Sequence, residues 1–156
     1  MEKETPKYRI EPFNQEFRYR GRVLVRLVFA APVLEDKKAI SGFYVRMREN
    51  LCAYCESLLA EKVALLQSGS REMRCSVRES LFRFSPRVTY LDERYLSVVF
   101  DIFRAEKGAR PRTEHMAQTF LLDGELLLPC TYFANKKEKR DADAPYYLTD
   151  EGIVCL

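Results

Sequence analysis

The chain has 156 residues and a formal net charge of +3, from 26 basic and 23 acidic side chains. This length suits one domain, and a hydrophobic content of 47% excludes a chain that is disordered throughout. The sequence has no run of about 18 apolar residues and begins with a charged segment, so we expect neither a membrane span nor a signal peptide. The sequence alone therefore indicates a cytoplasmic chain, or an extracytoplasmic one if it is a fragment of a longer protein.

The first half of the chain predicts a leader, one strand and one helix. Residues 1–16 are polar and contain two prolines, as expected of a loose leader before a single domain at 17–156. Residues 17–29 alternate in polarity with the period of a strand. Residues 37–67 carry apolar side chains at three- and four-residue spacing, which predicts an amphipathic helix with Asp36 as its N-cap and Gly69 as its C-terminal stop.

The second half predicts short strands. Period-two patterns place strands at 71–84, 86–90, 95–103 and 153–156, and residues 104–115 are expected to form a loop. Asp123 and Gly124 separate apolar runs at 116–122 and 125–129, which predicts a hairpin with positive φ at both turn residues. The predicted fold class is α+β, with one long amphipathic helix packed on one face of a mostly antiparallel sheet of four to six strands.

Five stretches, in order along residues 20–156, carry a family resemblance. They are YVRMRENLCAYC at 44–55, YLSVVF at 95–100, GARP at 108–111, FLLDGELLL at 120–128 and YLTDEGIV at 147–154. On these stretches the chain resembles the C-terminal domain of unknown function of RsiV-type anti-sigma factors, found in Gram-positive and often clostridial bacteria.

This resemblance implies a non-catalytic module that senses or binds, with no cofactor. The best-known domain of this type binds lysozyme, and related domains accompany enzymes that modify peptidoglycan. Two departures stand out. Family members often carry a glycine pair and a histidine where this chain has Lys107 to Pro111, and they usually continue past the final strand. The resemblance therefore predicts a protein or cell-wall-related ligand but transfers no binding residues.

Individual chemical motifs have ordinary structural explanations. His115 is the only histidine, and no nucleophile elbow accompanies it, so we predict no catalytic residue. Cys52 and Cys55 form a C-x-x-C inside the predicted helix, away from a helix N-terminus, and the other three cysteines are isolated. We therefore expect reduced thiols and no metal site.

The sequence patterns do not support a nucleic-acid partner. Arg18, Arg20 and Arg22 alternate with aromatic residues, so a strand would separate the basic side chains from the rings that single-stranded nucleic acid needs beside them. No nucleotide-binding glycine motif occurs either.

The predicted binding surface consists of two polar loops at 104–115 and 135–144, in which basic side chains outnumber acidic ones. The candidate partner-binding residues are Lys107, Arg110, Arg112 and His115. A partner should therefore present a net acidic surface. Three alternatives remain: a small enzyme or enzyme accessory acting on cell-wall glycan, a cytosolic protein with a structural or regulatory role in a phage or mobile element, and loops that are merely solvated connections.

Overall fold

The computed structural model describes residues 4–106, 109–133 and 144–156. A six-stranded sheet in the order β1-β2-β3-β4-β5-β6 curls into a half-barrel, and β7 and β8 form a separate two-stranded sheet. The strands are β1 (Tyr8–Tyr19), β2 (Arg22–Leu34), β3 (Ser80–Leu91), β4 (Tyr95–Ala105), β5 (Arg112–Leu121), β6 (Leu126–Leu127), β7 (Tyr146–Thr149) and β8 (Gly152–Cys155). The helices are α1 (Lys38–Ser68), the short α2 (Arg71–Cys75) and a 3₁₀ turn, Cys130–Phe133.

The predicted fold class is wrong. Of the described residues, 48% are in strands and 28% in helices, and the molecule is a mostly-sheet half-barrel rather than one helix on an antiparallel sheet of four to six strands. Helix α1 connects β2 to β3, which pair in parallel, because a connection of this length lets the chain return in the same direction. The β7–β8 hairpin then packs on the face of the sheet opposite α1.

The N-terminal prediction missed a hairpin. Residues 8–16, expected to be a loose leader, form most of β1, and the predicted strand at 17–29 is divided by a turn at Arg20 and Gly21. Both turn residues have positive φ, 48° and 79°, which is the geometry of a tight two-residue hairpin. Arg20 therefore lies in a turn, and the alternation of arginines and aromatics does not continue along one strand.

Two further elements differ from their predicted form. Residues 71–75 form α2, capped by Ser70, and the predicted strands at 71–84 and 86–90 are replaced by the single strand β3. The hairpin near Asp123 exists, but its loop spans four residues, and φ is positive at Gly124 and Glu125, not at Asp123. The predicted helix at 37–67 is confirmed within a residue at each end.

Helix α1 packs on the inner face of the main sheet. Its most deeply buried side chains are Ile40, Tyr44 and Cys55, which join buried residues of β2, β3 and β4 in one apolar core. The Tyr44 ring lies 5.7 Å from that of Phe100, and the Tyr44 hydroxyl donates a hydrogen bond to the buried Gln118 amide at 3.1 Å. The core therefore fixes α1 over the sheet by both apolar and polar contacts.

A carboxylate from another element caps α1. No side chain adjacent to the helix start caps it; instead Glu125 Oε1 accepts the backbone N–H groups of Ala39 at 3.0 Å and Ile40 at 3.3 Å. Glu125 lies in the β5–β6 loop and has a left-handed backbone conformation, with φ of 51°, which directs its side chain toward the start of α1. Asp36 was expected to cap α1, but Glu125 of the β5–β6 loop does so instead. Its negative charge also interacts favourably with the positive N-terminal end of the helix dipole.

Candidate functional site

Part of the inner face of the sheet is not covered by α1. The helix packs closest to β2 and β1, and a space remains between it and part of β3, β4 and β5, although most inner-face side chains of these three strands are buried. The space between them is a cavity of about 480 Å³, which we call the α1–β5 groove. Its described lining residues are Phe43, Arg46, Met47, Asn50, Leu51, Phe84, Ile102, Arg104 and Met116.

The groove has an apolar interior and a polar rim because of helical spacing. Phe43, Met47 and Leu51 recur every four residues and so form one wall along α1. Arg46 and Asn50 follow the same spacing along the outer edge, where both are exposed. Phe84, Ile102 and Met116 form the floor, one from each of three neighbouring strands.

The end of the groove near Arg104 is basic. Glu114 sits between two guanidinium groups, 3.3 Å from Arg104 Nε and 3.0 Å from Arg112 Nε. The Arg104 contact lacks hydrogen-bond geometry, so its buried Nε has no hydrogen-bond acceptor in the structure. Arg46 forms no ion pair with any described residue. Arg46 and Arg104 therefore give the groove positive charge, part of which Glu114 neutralises.

The opposite face of the sheet carries a separate ionic cluster. His115 Nδ1 lies 2.8 Å from Asp101 Oδ1, and Arg87 Nε donates to Asp101 Oδ2 at 3.1 Å. Partial burial disfavours the ionised carboxyl, but the hydrogen bonds from Arg87 and His115 outweigh it and lower the pKa of Asp101. His115 is therefore engaged with a carboxylate that stays ionised, and no nucleophile is hydrogen-bonded to it in the described part of the chain.

The predicted partner-binding residues do not form one site. Arg112 and His115 belong to β5 rather than to a loop, and their side chains lie on opposite faces of the sheet because they are three residues apart. Arg110 is exposed just before β5 and pairs with no described acid. Lys107 and nearly all of the predicted loop at 135–144 lie outside the described residues. Of the predicted set, the structure places only Arg112 beside the groove.

A second cavity, of about 550 Å³, lies at the N-terminal end of α1 and is acidic. Its described lining includes five carboxylates, from Glu4, Glu35, Asp36, Glu93 and Asp123. Lys7 and Lys37 also line it. Across residues 4–106, 109–133 and 144–156, no group of three histidine, cysteine or acidic side chains is arranged to hold a metal ion.

All five cysteines are free thiols in the structure. Burial raises the pKa of Cys55 to about 11 and also raises that of Cys52, so both thiols of the C-x-x-C are poor nucleophiles at neutral pH. Cys130 is buried in the small core under β7, while Cys75 and Cys155 are exposed.

Within the described residues, no helix has the length and apolar character needed to cross a membrane.

The fold is similar to that of a solved structure. A member of the DUF3298 family from Bacteroides fragilis superposes with a TM-score of 0.58 over 86% of this chain and 63% of that chain, at 10% sequence identity. The chain thus spans less than two thirds of that protein's length, and the likeness concerns the fold alone. No family profile and no curated protein matches the sequence.

Proposed function

We propose that this chain is a non-catalytic binding module that recognises a protein or cell-wall-related ligand through the α1–β5 groove. The observation that carries the proposal is an open apolar groove with a basic end. Its volume of about 480 Å³ lies in the range of ligand pockets, and its mostly apolar lining with a few polar side chains is typical of such sites. The structural neighbour, from a family of unknown function, is compatible with this role but identifies no ligand.

The charge of the groove favours an acidic ligand. Arg46 and Arg104 belong to the described lining of the groove, which contains no carboxylate, and Arg112 pairs with Glu114 beside it. The resemblance to RsiV-type domains supports a ligand at the bacterial surface. Such a ligand requires the domain to lie outside the cell membrane, which detection of the protein on intact cells would test.

The alternative, an enzyme acting on cell-wall glycan, finds less support in the groove. Glycosidase chemistry requires two carboxyl groups flanking the scissile bond, and no carboxylate belongs to the described lining of the groove. The acidic cavity at the start of α1 supplies carboxylates, so it is where this alternative would have to be tested. Release of reducing sugars from purified cell walls, abolished by Glu93→Gln, would establish it.

A pair of substitutions on α1 tests the groove. Met47→Glu places a charge in its apolar wall, whereas Val45→Glu makes the same change on the same helix at a 40% exposed position outside it. Binding to purified peptidoglycan sacculi and to lysozyme is measured for both variants, each shown to be folded by circular dichroism.

We expect Met47→Glu to weaken binding by about tenfold or more, because desolvating the new charge opposes apolar contact. Val45→Glu should bind as the wild type does. Equal binding by all three proteins would refute the assignment of the groove.

A further inference from the structure

Strand β5 is an edge strand over most of its length. Strand β6 pairs only with Phe120 and Leu121, and one further hydrogen bond joins Leu128 N–H to Thr119 O at 2.8 Å. In the described part of the chain, no strand pairs with residues 112–118 of β5 on the side away from β4. Within the described residues, the backbone of this segment therefore has no strand partner on that side, as at the edge of a sheet.

The direction of the free backbone groups follows from Thr119. Its carbonyl points toward β6, and alternate residues of a strand direct their N–H and C=O groups to the same side. Thr113, His115 and Ala117 therefore direct theirs away from β4. Three residues with outward donors and acceptors are enough to pair with a short extended segment.

The other edge of the sheet is protected, and this one is not. Edge strand β1 contains Pro12 and four charged residues, which are devices that prevent pairing with another strand. The free part of β5, residues 112–118, has no proline, and its two charged side chains, those of Arg112 and Glu114, lie at one end. The contrast indicates that β5 is the edge suited to a partner.

Cavities flank the free edge on both faces of the sheet. On the inner face Met116 belongs to the floor of the α1–β5 groove. On the outer face a cleft of about 420 Å³ is lined by His115, Ala117 and Thr119 together with Pro129 and Tyr146. An extended segment beside β5 would alternate its side chains between these two spaces.

We propose that the ligand of this module is an extended peptide segment that pairs with β5 as an additional strand. Its apolar side chains enter the α1–β5 groove, and an acidic side chain meets Arg104 and Arg112 at the basic end. This inference rests on the proposed function and names the class of partner for the same groove. Main-chain hydrogen bonds supply affinity in this mode, and the flanking cavities supply specificity.

The test uses a blocked peptide in which valines alternate with threonines and one end carries a glutamate. Ala117→Pro removes an N–H that faces the free edge, where proline is tolerated without loss of the β4 ladder. Asn14→Pro is the matched control, because it lies on the opposite edge two residues from Pro12. Two further peptides have the same sequence but are N-methylated on alternate amides, one on the odd-numbered and one on the even-numbered residues. Each therefore lacks the N–H donors along one side of the extended peptide.

We expect the peptide to bind the wild type and Asn14→Pro equally, to lose about tenfold or more in affinity for Ala117→Pro, and to slow amide exchange at Thr113, His115 and Ala117. Only one N-methylated register should bind. Failure of the peptide to bind, or binding by both registers and by Ala117→Pro, would overturn strand addition. The proposed function would stand if the difference between Met47→Glu and Val45→Glu on sacculi or lysozyme persisted.

Discussion

The hydrogen bond between Tyr44 and Gln118 joins α1 to β5 inside the core. The hydroxyl and the amide oxygen are 3.1 Å apart, and both side chains are at most 5% exposed. Tyr44→Phe keeps the ring contacts but leaves the Gln118 oxygen without this donor, which should cost about 1–3 kcal/mol. Gln118→Met should cost a similar amount by leaving the Tyr44 hydroxyl without its acceptor.

The double variant separates this bond from general packing. With both polar groups removed, neither is left unpaired, so the double variant should lose less stability than the sum of the single variants by about 1–2 kcal/mol. Urea denaturation followed by circular dichroism measures all four proteins. Additive losses would refute the reasoning, because they would show that the two groups are not coupled.

Tyr44 should also make the stability of the folded protein depend on pH in the alkaline range. Burial raises the pKa of Tyr44 strongly, so the folded state retains the phenolic proton. The stabilisation by the buried, protonated Tyr44 is fully present below a pH of about 10, which is the pKa of tyrosine in the unfolded chain. It is lost as the pH rises through the higher pKa of Tyr44 in the folded state. Wild type should therefore lose more stability above about pH 10 than Tyr44→Phe does.

Three other predictions concern the scaffold. Glu125→Ala should lower stability by about 0.5–2 kcal/mol in chemical denaturation, because it removes the cap of α1, and Glu125→Gln should retain most of that stability. Gly69→Ala should cost about 1–3 kcal/mol, since a β-carbon there would lie 2.4 Å from the carbonyl oxygen of Leu65; wild-type stability would show that the helix end is placed differently. In the native protein, Ellman's reagent should modify Cys75 and Cys155 quickly and Cys55 only after unfolding; rapid reaction of Cys55 would contradict its burial.

Local periodicity predicted α1 and β4 well. The apolar repeat of α1 and the alternation in β4, with Leu96, Val98, Phe100 and Ile102 on one face, agree with the structure because each element buries one continuous surface. Periodicity did not identify β1, because an edge strand with a polar outer side lacks the apolar content of a central strand. The turn at Arg20 and Gly21 was hidden because the alternating pattern continues across it.

The groove could not be predicted from the same patterns. Phe43, Met47 and Leu51 read as an ordinary core stripe, and only the position of α1 over β2 leaves them partly open toward β5. That position depends on contacts between residues far apart in the chain, such as Tyr44 with Gln118 and Glu125 with the start of α1. Strands β4 and β5 occupy half of the predicted loop at 104–115.

The most direct test of the account is NMR of the methionine methyl groups during titration with solubilised peptidoglycan fragments or lysozyme. Met47 and Met116 line the groove, while Met73 lies in α2, is 45% exposed and serves as an internal control. The account predicts that the ligand shifts the Met47 and Met116 signals and leaves Met73 unchanged. Binding that shifts Met73 alone, or that leaves both groove methionines unperturbed, would contradict it.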